Sequence, residues 1–161
     1  MKLQRMIVVW LTVGMFCAAC GRNESVPKTE TQLGAKLNWL TDFEAAQTQS
    51  RTEEKTMLIN FTGSDWCPPC ILLEKQVFSQ PAFADYAAKN LVLLKADFPR
   101  IKMQSDEEKA ANEKLAERYV IEGFPTIVVL DSSGKTLGEL GYMPGGPEKF
   151  IAALEKLRAT R

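Results

Sequence analysis

Histidine is absent from the whole 161-residue chain. That absence excludes a Cys–His nucleophilic pair, a Ser–His–Asp triad and any histidine-ligated metal. Cysteine is scarce, at four residues, and 20 basic residues balance 20 acidic ones without a block of either sign. A formal charge of zero with no basic stripe points away from nucleic acid and from anionic membrane surfaces as partners. The apolar run Ile7 to Ala19 stops at thirteen residues, short of the roughly 20 that a membrane span needs. What remains is a chain with 45% apolar content, enough for one globular domain with a core of its own, expected as a monomer.

The first segment reads as a targeting signal. Lys2 and Arg5 precede the apolar run, which suits a secretory signal peptide over residues 1–19. Cys17-Ala18-Ala19-Cys20-Gly21 resembles the lipobox of bacterial lipoproteins, in which the cysteine is lipidated and becomes the new N-terminus. One position departs from that pattern: Cys17 stands where the family usually has Leu, Val or Ile. The resemblance implies lipidation at Cys20 and anchoring to a membrane; plain secretion or a retained signal anchor is the other reading. Either way the domain works outside the cytoplasm, in the periplasm or cell envelope of a bacterium. Residues 20–36 are polar, with little to bury, and read as a tether.

Loss of the signal leaves 18 basic against 20 acidic residues, and Cys67 and Cys70 as the domain's own cysteines. They sit where disulfides persist. Within the domain, 37–161, Thr41 followed by Glu44 reads as a capping box that opens a helix toward Lys55. Residues 57–61 form an apolar strand, and a helical pattern with Ile71, Leu72, Leu73, Val77 and Phe78 runs to a stop at Pro81. A shorter helical piece carries Phe83, Tyr86 and Ala87. Residues 91–97 are a second strand, covered on both faces. Ser105 with Glu108 caps a helix whose Ala111, Leu115 and Tyr119 share a face. Residues 126–130 are a third buried strand, 131–134 a turn, and 135–140 a strand with one solvated face. Pro147 opens the last helix, with Phe150, Ile151, Leu154 and Leu157 inward. Helices alternating with buried strands, then a hairpin, predict an α/β fold: a three-layer sandwich with a central mixed β-sheet flanked by helices.

Trp66-Cys67-Pro68-Pro69-Cys70 lies between the first of these strands and the helix that follows. Two thiols three residues apart can close into one disulfide or open into a dithiol. With that motif, the strand before it and Gly123-Phe124-Pro125-Thr126 placed 55 positions after Cys70, the stretch from Trp39 to Leu157 resembles the thioredoxin fold family. Phe61 to Cys67 and Leu94 to Pro99 are similar to extracytoplasmic bacterial thioredoxin-like proteins, including the DsbD C-terminal domain. The resemblance implies a thiol–disulfide oxidoreductase of the cell envelope that reduces protein disulfides. It needs no cofactor beyond the Cys67–Cys70 couple and no metal. Its partners are a protein thiol or disulfide substrate and an upstream redox protein. The resemblance also implies a cis bond before Pro125, with Gly123 and Phe124 offering backbone to a substrate strand. Trp66, Pro68 and Pro69 form the contact surface beside the thiols.

With Cys67 as helix N-cap, Pro68 and Pro69 take positions where missing N–H groups break no helical bond. The Cys67 sulfur then sits at the positive end of the helix dipole and is expected to be the nucleophile, with Cys70, one turn inside, the resolving thiol. Two prolines also remove amide donors, which predicts a potential nearer thioredoxin's (about −270 mV) than DsbA's (about −120 mV). The family often has a buried Asp on the preceding strand; Asn60, which cannot take a proton, is the nearest match. Glu74 is the candidate proton acceptor: it lies one helical turn beyond Cys70, and the DsbD C-terminal domain carries a Glu at this spacing. Asp65 and Lys95 are secondary candidates for the same role, read as surface groups in preference to catalytic ones, and Tyr142 reads as a rim or packing residue. Two other readings stand beside this one: a binding module whose disulfide is structural, and a carrier of Cu(I) between the two sulfurs.

Overall fold

The computed structural model describes residues 37–160; the signal segment, Cys20 and the tether lie outside them. Thr56–Thr62 (β2) is the centre of the molecule, and every one of its seven residues is buried. Trp39–Leu40 (β1) and Leu91–Asp97 (β3) extend the sheet on one side, Thr126–Leu130 (β4) and Thr136–Leu140 (β5) on the other. The order is β1-β3-β2-β4-β5, with β1, β3 and β2 parallel and β4 and β5 antiparallel to their neighbours. The expected mixed sheet is present, and β1, a two-residue strand absent from the sequence reading, adds its edge.

Side chains on successive β2 residues point to opposite faces, so a strand apolar throughout needs cover on both. Met57, Ile59 and Phe61 pack with Ala46 of Phe43–Glu53 (α1) and Leu115 of Asp106–Arg118 (α4). Leu58 packs on the opposite face with Leu73 of Pro68–Leu73 (α2), Phe83 of Pro81–Asn90 (α3), and Phe150 and Leu154 of Gly146–Arg158 (α5). Phe78, Phe83 and Phe150 meet there, with ring centroids 5.0 to 6.0 Å apart. Burial of such rings is the largest single apolar contribution available to a domain of this size.

Local signals hold with four corrections. The cap of α1 is Asp42, not Thr41: its Oδ1 accepts from Ala45 N at 2.7 Å, because the chain leaves β1 at Leu40 and turns one residue later. The helix after the motif does not run unbroken to Pro81; α2 passes into a π-helical turn over Glu74–Phe78. Pro81 opens α3 at its first turn rather than merely ending what precedes it. On α4 Leu115 faces inward as expected, but Asn112, 1% exposed, is buried as well and Ala111 faces out. The Asn112 side chain donates to the Asp97 carbonyl at 2.9 Å, a bond at the end of β3 that apolar spacing does not signal. Ser105 caps α4 as expected, its Oγ accepting from Glu108 N.

Candidate active site

The motif hangs off the C-terminal end of β2. Cys67 is the N-cap of α2, in extended conformation, with Pro68 and Pro69 in the first turn. Its sulfur accepts from Cys70 N at 3.3 Å and is bonded to the Cys70 sulfur at 2.06 Å. Both cysteines are 3% exposed, so burial does not distinguish them; only Cys67 occupies the cap. Beside them Pro68, Ile71 and Leu72 are exposed. The Phe124–Pro125 peptide is cis, as expected. Phe124 stacks on Phe98 (4.9 Å between centroids) and meets Trp66 edge-on at 6.1 Å, which brings the proline loop to the motif. Gly123 is exposed, and its carbonyl accepts from Thr126 Oγ1.

Trp66 is fixed on three sides. Its Nε1 donates to the Phe98 carbonyl at 2.7 Å, the Arg100 guanidinium lies 3.6 Å from a ring centroid, and its indole fills the space above Gly63. The loop after β3 that supplies Phe98 and Arg100 is itself held by Asp65. Arg100 N, Ile101 N and Lys102 N all donate to that carboxylate, at 3.0, 2.8 and 2.9 Å. The Arg100, Lys102 and Ile101 amides hold the Asp65 carboxyl down at about 2, against slight desolvation, with a further contribution from the Lys102 charge. Asp97 completes the clamp by accepting from Ser64 N and Ser64 Oγ. Asp65 is thus a structural acceptor, a role its reading as a surface group missed. Donor and acceptor lie 35 to 37 positions apart, and no local pattern pairs them.

Asn60 is 3% exposed and its Oδ1 has no hydrogen-bond partner among the described residues. It lies across from Lys95 on β3. Lys95 Nζ is 3.8 Å from Glu74 Oε2, on the π-helical turn, and stands over the Trp39 ring. Glu74, Lys95 and Cys70 line one cavity of about 430 Å³, so the carboxylate singled out from the sequence does share a space with the second cysteine. Lys95, read as a surface group, shares it too. Tyr142 donates to Gln76 Oε1 on the same turn and packs against the core. The described residues contain no group of three His, Cys, Asp or Glu side chains placed to hold a metal ion.

A closed disulfide at a helix start, in a five-stranded mixed sheet with helices on both faces, defines the class of thioredoxin-fold thiol–disulfide oxidoreductases. The chain belongs to the thioredoxin-like domain family, whose profile matches residues 43–158. It is 33% identical to the disulfide bond reductase DsbH of Chlamydia pneumoniae over 90% of this chain and 88% of that one. A solved DsbH oxidoreductase superposes with a TM-score of 0.77 at 31% identity, over 89% of this chain and 97% of that structure. The thiol:disulfide interchange protein DsbD of Photorhabdus laumondii is 34% identical over 62% of this chain, which spans only 15% of DsbD. In this chain Cys67 and Cys70 form the disulfide at that helix start.

Proposed function

We propose that the chain is a protein-disulfide reductase of the bacterial envelope, exported by residues 1–19 and held at a membrane by lipid on Cys20. The observation that carries the direction of attack is the Cys67 sulfur at the helix N-cap, accepting from Cys70 N. A sulfur in that position is stabilised as thiolate. In the reduced protein the Cys67 thiolate attacks one sulfur of a substrate disulfide; a Cys67–substrate bond forms and the other substrate sulfur leaves as thiolate. Cys70 then gives up its proton to Glu74 and attacks Cys67. The internal disulfide closes and the second substrate sulfur departs, so that two electrons have passed from the dithiol to the substrate. Phe124 and Gly123, beside Pro125, offer backbone to the substrate strand. Trp66, Pro68 and Pro69 form the adjoining contact surface. An upstream redox protein restores the dithiol.

Support for the reducing direction comes from the two prolines, which leave the thiolate few amide donors, and from the name of the DsbH relative. The test is the reduction potential in glutathione and dithiothreitol buffers. A value below about −220 mV supports a reductase, whereas one near −120 mV reverses the direction. Trapping tests the roles: Cys70→Ser should hold substrates as mixed disulfides through Cys67, and a Cys67→Ser protein that traps them through Cys70 would reverse the assignment.

A further inference from the structure

The active-site helix carries an apolar face that the core does not use. Pro68, Ile71 and Leu72 stand at i, i+3 and i+4, so they share one side of α2. All three are exposed, Ile71 at 46% and Leu72 at 39%. The opposite side sends Cys70 and Leu73 into the interior. Five large aliphatic side chains are exposed among the described residues, and four lie on segments that adjoin the motif. Ile71 and Leu72 follow Cys70 directly; Ile101 and Met103 belong to the loop that Asp65 holds by its amides and whose Arg100 lies over Trp66. A single exposed aliphatic residue is ordinary, whereas a contiguous apolar face marks a contact surface. Charge selects nothing here: around the cavity beside Cys70, Glu74, Asp65 and Asp97 balance Lys75, Lys95 and Lys102.

We propose that the face formed by Pro68, Ile71 and Leu72 is a specificity surface for a large apolar side chain about two residues from the reactive cysteine of the substrate. The inference rests on the reductase reading of Cys67 and Cys70. Cys67 caps the same helix and is only 3% exposed, so a protein disulfide reaches its sulfur by lying against the residues around it. Ile71 and Leu72 follow Cys67 by four and five positions, about 6 and 7.5 Å along a helix axis, a span that an extended substrate covers in about two residues. An apolar side chain docked there releases water from Ile71 and Leu72, while a polar one loses its own water without a partner in return. Apolar flanks of this kind are buried in folded proteins and open to solvent in unfolded ones. The substrate class that fits the face is therefore a disulfide in an incompletely folded chain. The contact acts in docking, before any bond changes, so the exchange chemistry itself is unaltered.

The test uses the pre-reduced full chain and two synthetic disulfide peptides that carry either Leu or Ser at the positions two before and two after the cysteine. Second-order rate constants for their reduction are compared. The expected result is about tenfold faster reduction of the Leu peptide; tenfold equals about 1.4 kcal/mol, less than complete burial of one leucine supplies. The Ile71→Gln/Leu72→Gln double variant should bring the ratio under about twofold by slowing the Leu peptide, and Ile71→Leu/Leu72→Met should keep it near tenfold. Ile71→Gln alone, at the more exposed of the two positions, should at least halve the ratio, and it reads the same contact should the double variant fail to fold. Equal rates for the two peptides in the unaltered chain overturn the inference while leaving the reductase reading intact. A Leu preference undiminished in the glutamine variants places the apolar contact elsewhere and overturns it as well. Reduction of neither peptide removes the reductase reading and the inference with it.

Discussion

The guanidinium of Arg100 lies 3.6 Å from a ring centroid of Trp66, the residue that precedes the reactive pair. The two residues are 34 positions apart, and no local pattern pairs them. The contact exists because Asp65 gathers the amides of residues 100 to 102, and that loop can reach Trp66 only because β3 runs parallel to β2 in register, Thr62 against Asp97.

Removing that acceptor should loosen the whole rim. Asp65→Asn keeps the size of the side chain but loses its charge and one acceptor oxygen, so at pH 7 it should lower the melting temperature and change Trp66 fluorescence. The folded carboxyl titrates at about 2, below its ordinary value near 3.9. Its stabilising contribution is therefore complete above the ordinary value and is lost as pH falls through about 2. The melting difference between the variant and the unaltered chain should shrink on titration from about pH 4 to pH 2. A difference independent of pH across that range would show that the charge is not what holds the loop.

Gly63 is required by Trp66. A methyl group at position 63 would come within 2.5 Å of Trp66 Cε2 and 2.6 Å of Nε1, so Gly63→Ala must displace the indole from the Phe98 carbonyl. Overpacking of this kind costs about 1–3 kcal/mol. Chemical denaturation should register that loss, and disulfide exchange should slow although both cysteines are untouched. An unchanged rate would mean that Trp66 takes no part in the contact surface.

Glu74→Gln separates proton transfer from attack. Formation of the mixed disulfide through Cys67 should proceed at the original rate, and its resolution by Cys70 should slow. General acid–base groups contribute roughly 10²–10⁴-fold; the half-exposed position of Glu74 places the expected loss at the low end of that range. Stopped exchange with a mixed-disulfide substrate reads the second step directly. If resolution is as fast as before, the proton goes elsewhere, by way of water or Lys95.

Phe150 tests the core rather than the chemistry. It is fully buried, between Phe78 and Phe83, and far along the chain from the motif. Phe150→Ala should cost about 3–5 kcal/mol in urea unfolding, while the reduction potential of the protein that remains folded should not move. A shifted potential would reveal coupling between α5 and the active-site helix.

Most of the fold could be read from local pattern. A seven-residue run with no polar alternation needs cover on both faces, which is how 91–97, now β3, announced a sheet between helix layers. Ser105 and Pro147 marked helix starts for the same reason: unpaired amides of a first turn need an acceptor, or a residue that lacks the N–H. Thr41 misled because Thr and Asp can both cap a helix, although Asp is the stronger cap, and which of two adjacent residues does so depends on where β1 releases the chain. The π-helical turn at Glu74–Phe78 left no mark in the apolar spacing, since Val77 and Phe78 reach the core in either geometry.

By itself the sequence determined the cysteine pair, its place at a helix start, the absence of any histidine chemistry and the proline loop. These are matters of residue type and short spacing, and short spacing survives folding unchanged. Only the tertiary structure decided what surrounds the pair: Asp65 as a clamp, Arg100 over Trp66, Phe124 against the same ring, and Glu74 and Lys95 in one cavity with Cys70. Each of those relationships joins residues on different elements. Its distance is set by strand register and loop path, which no single stretch of chain encodes.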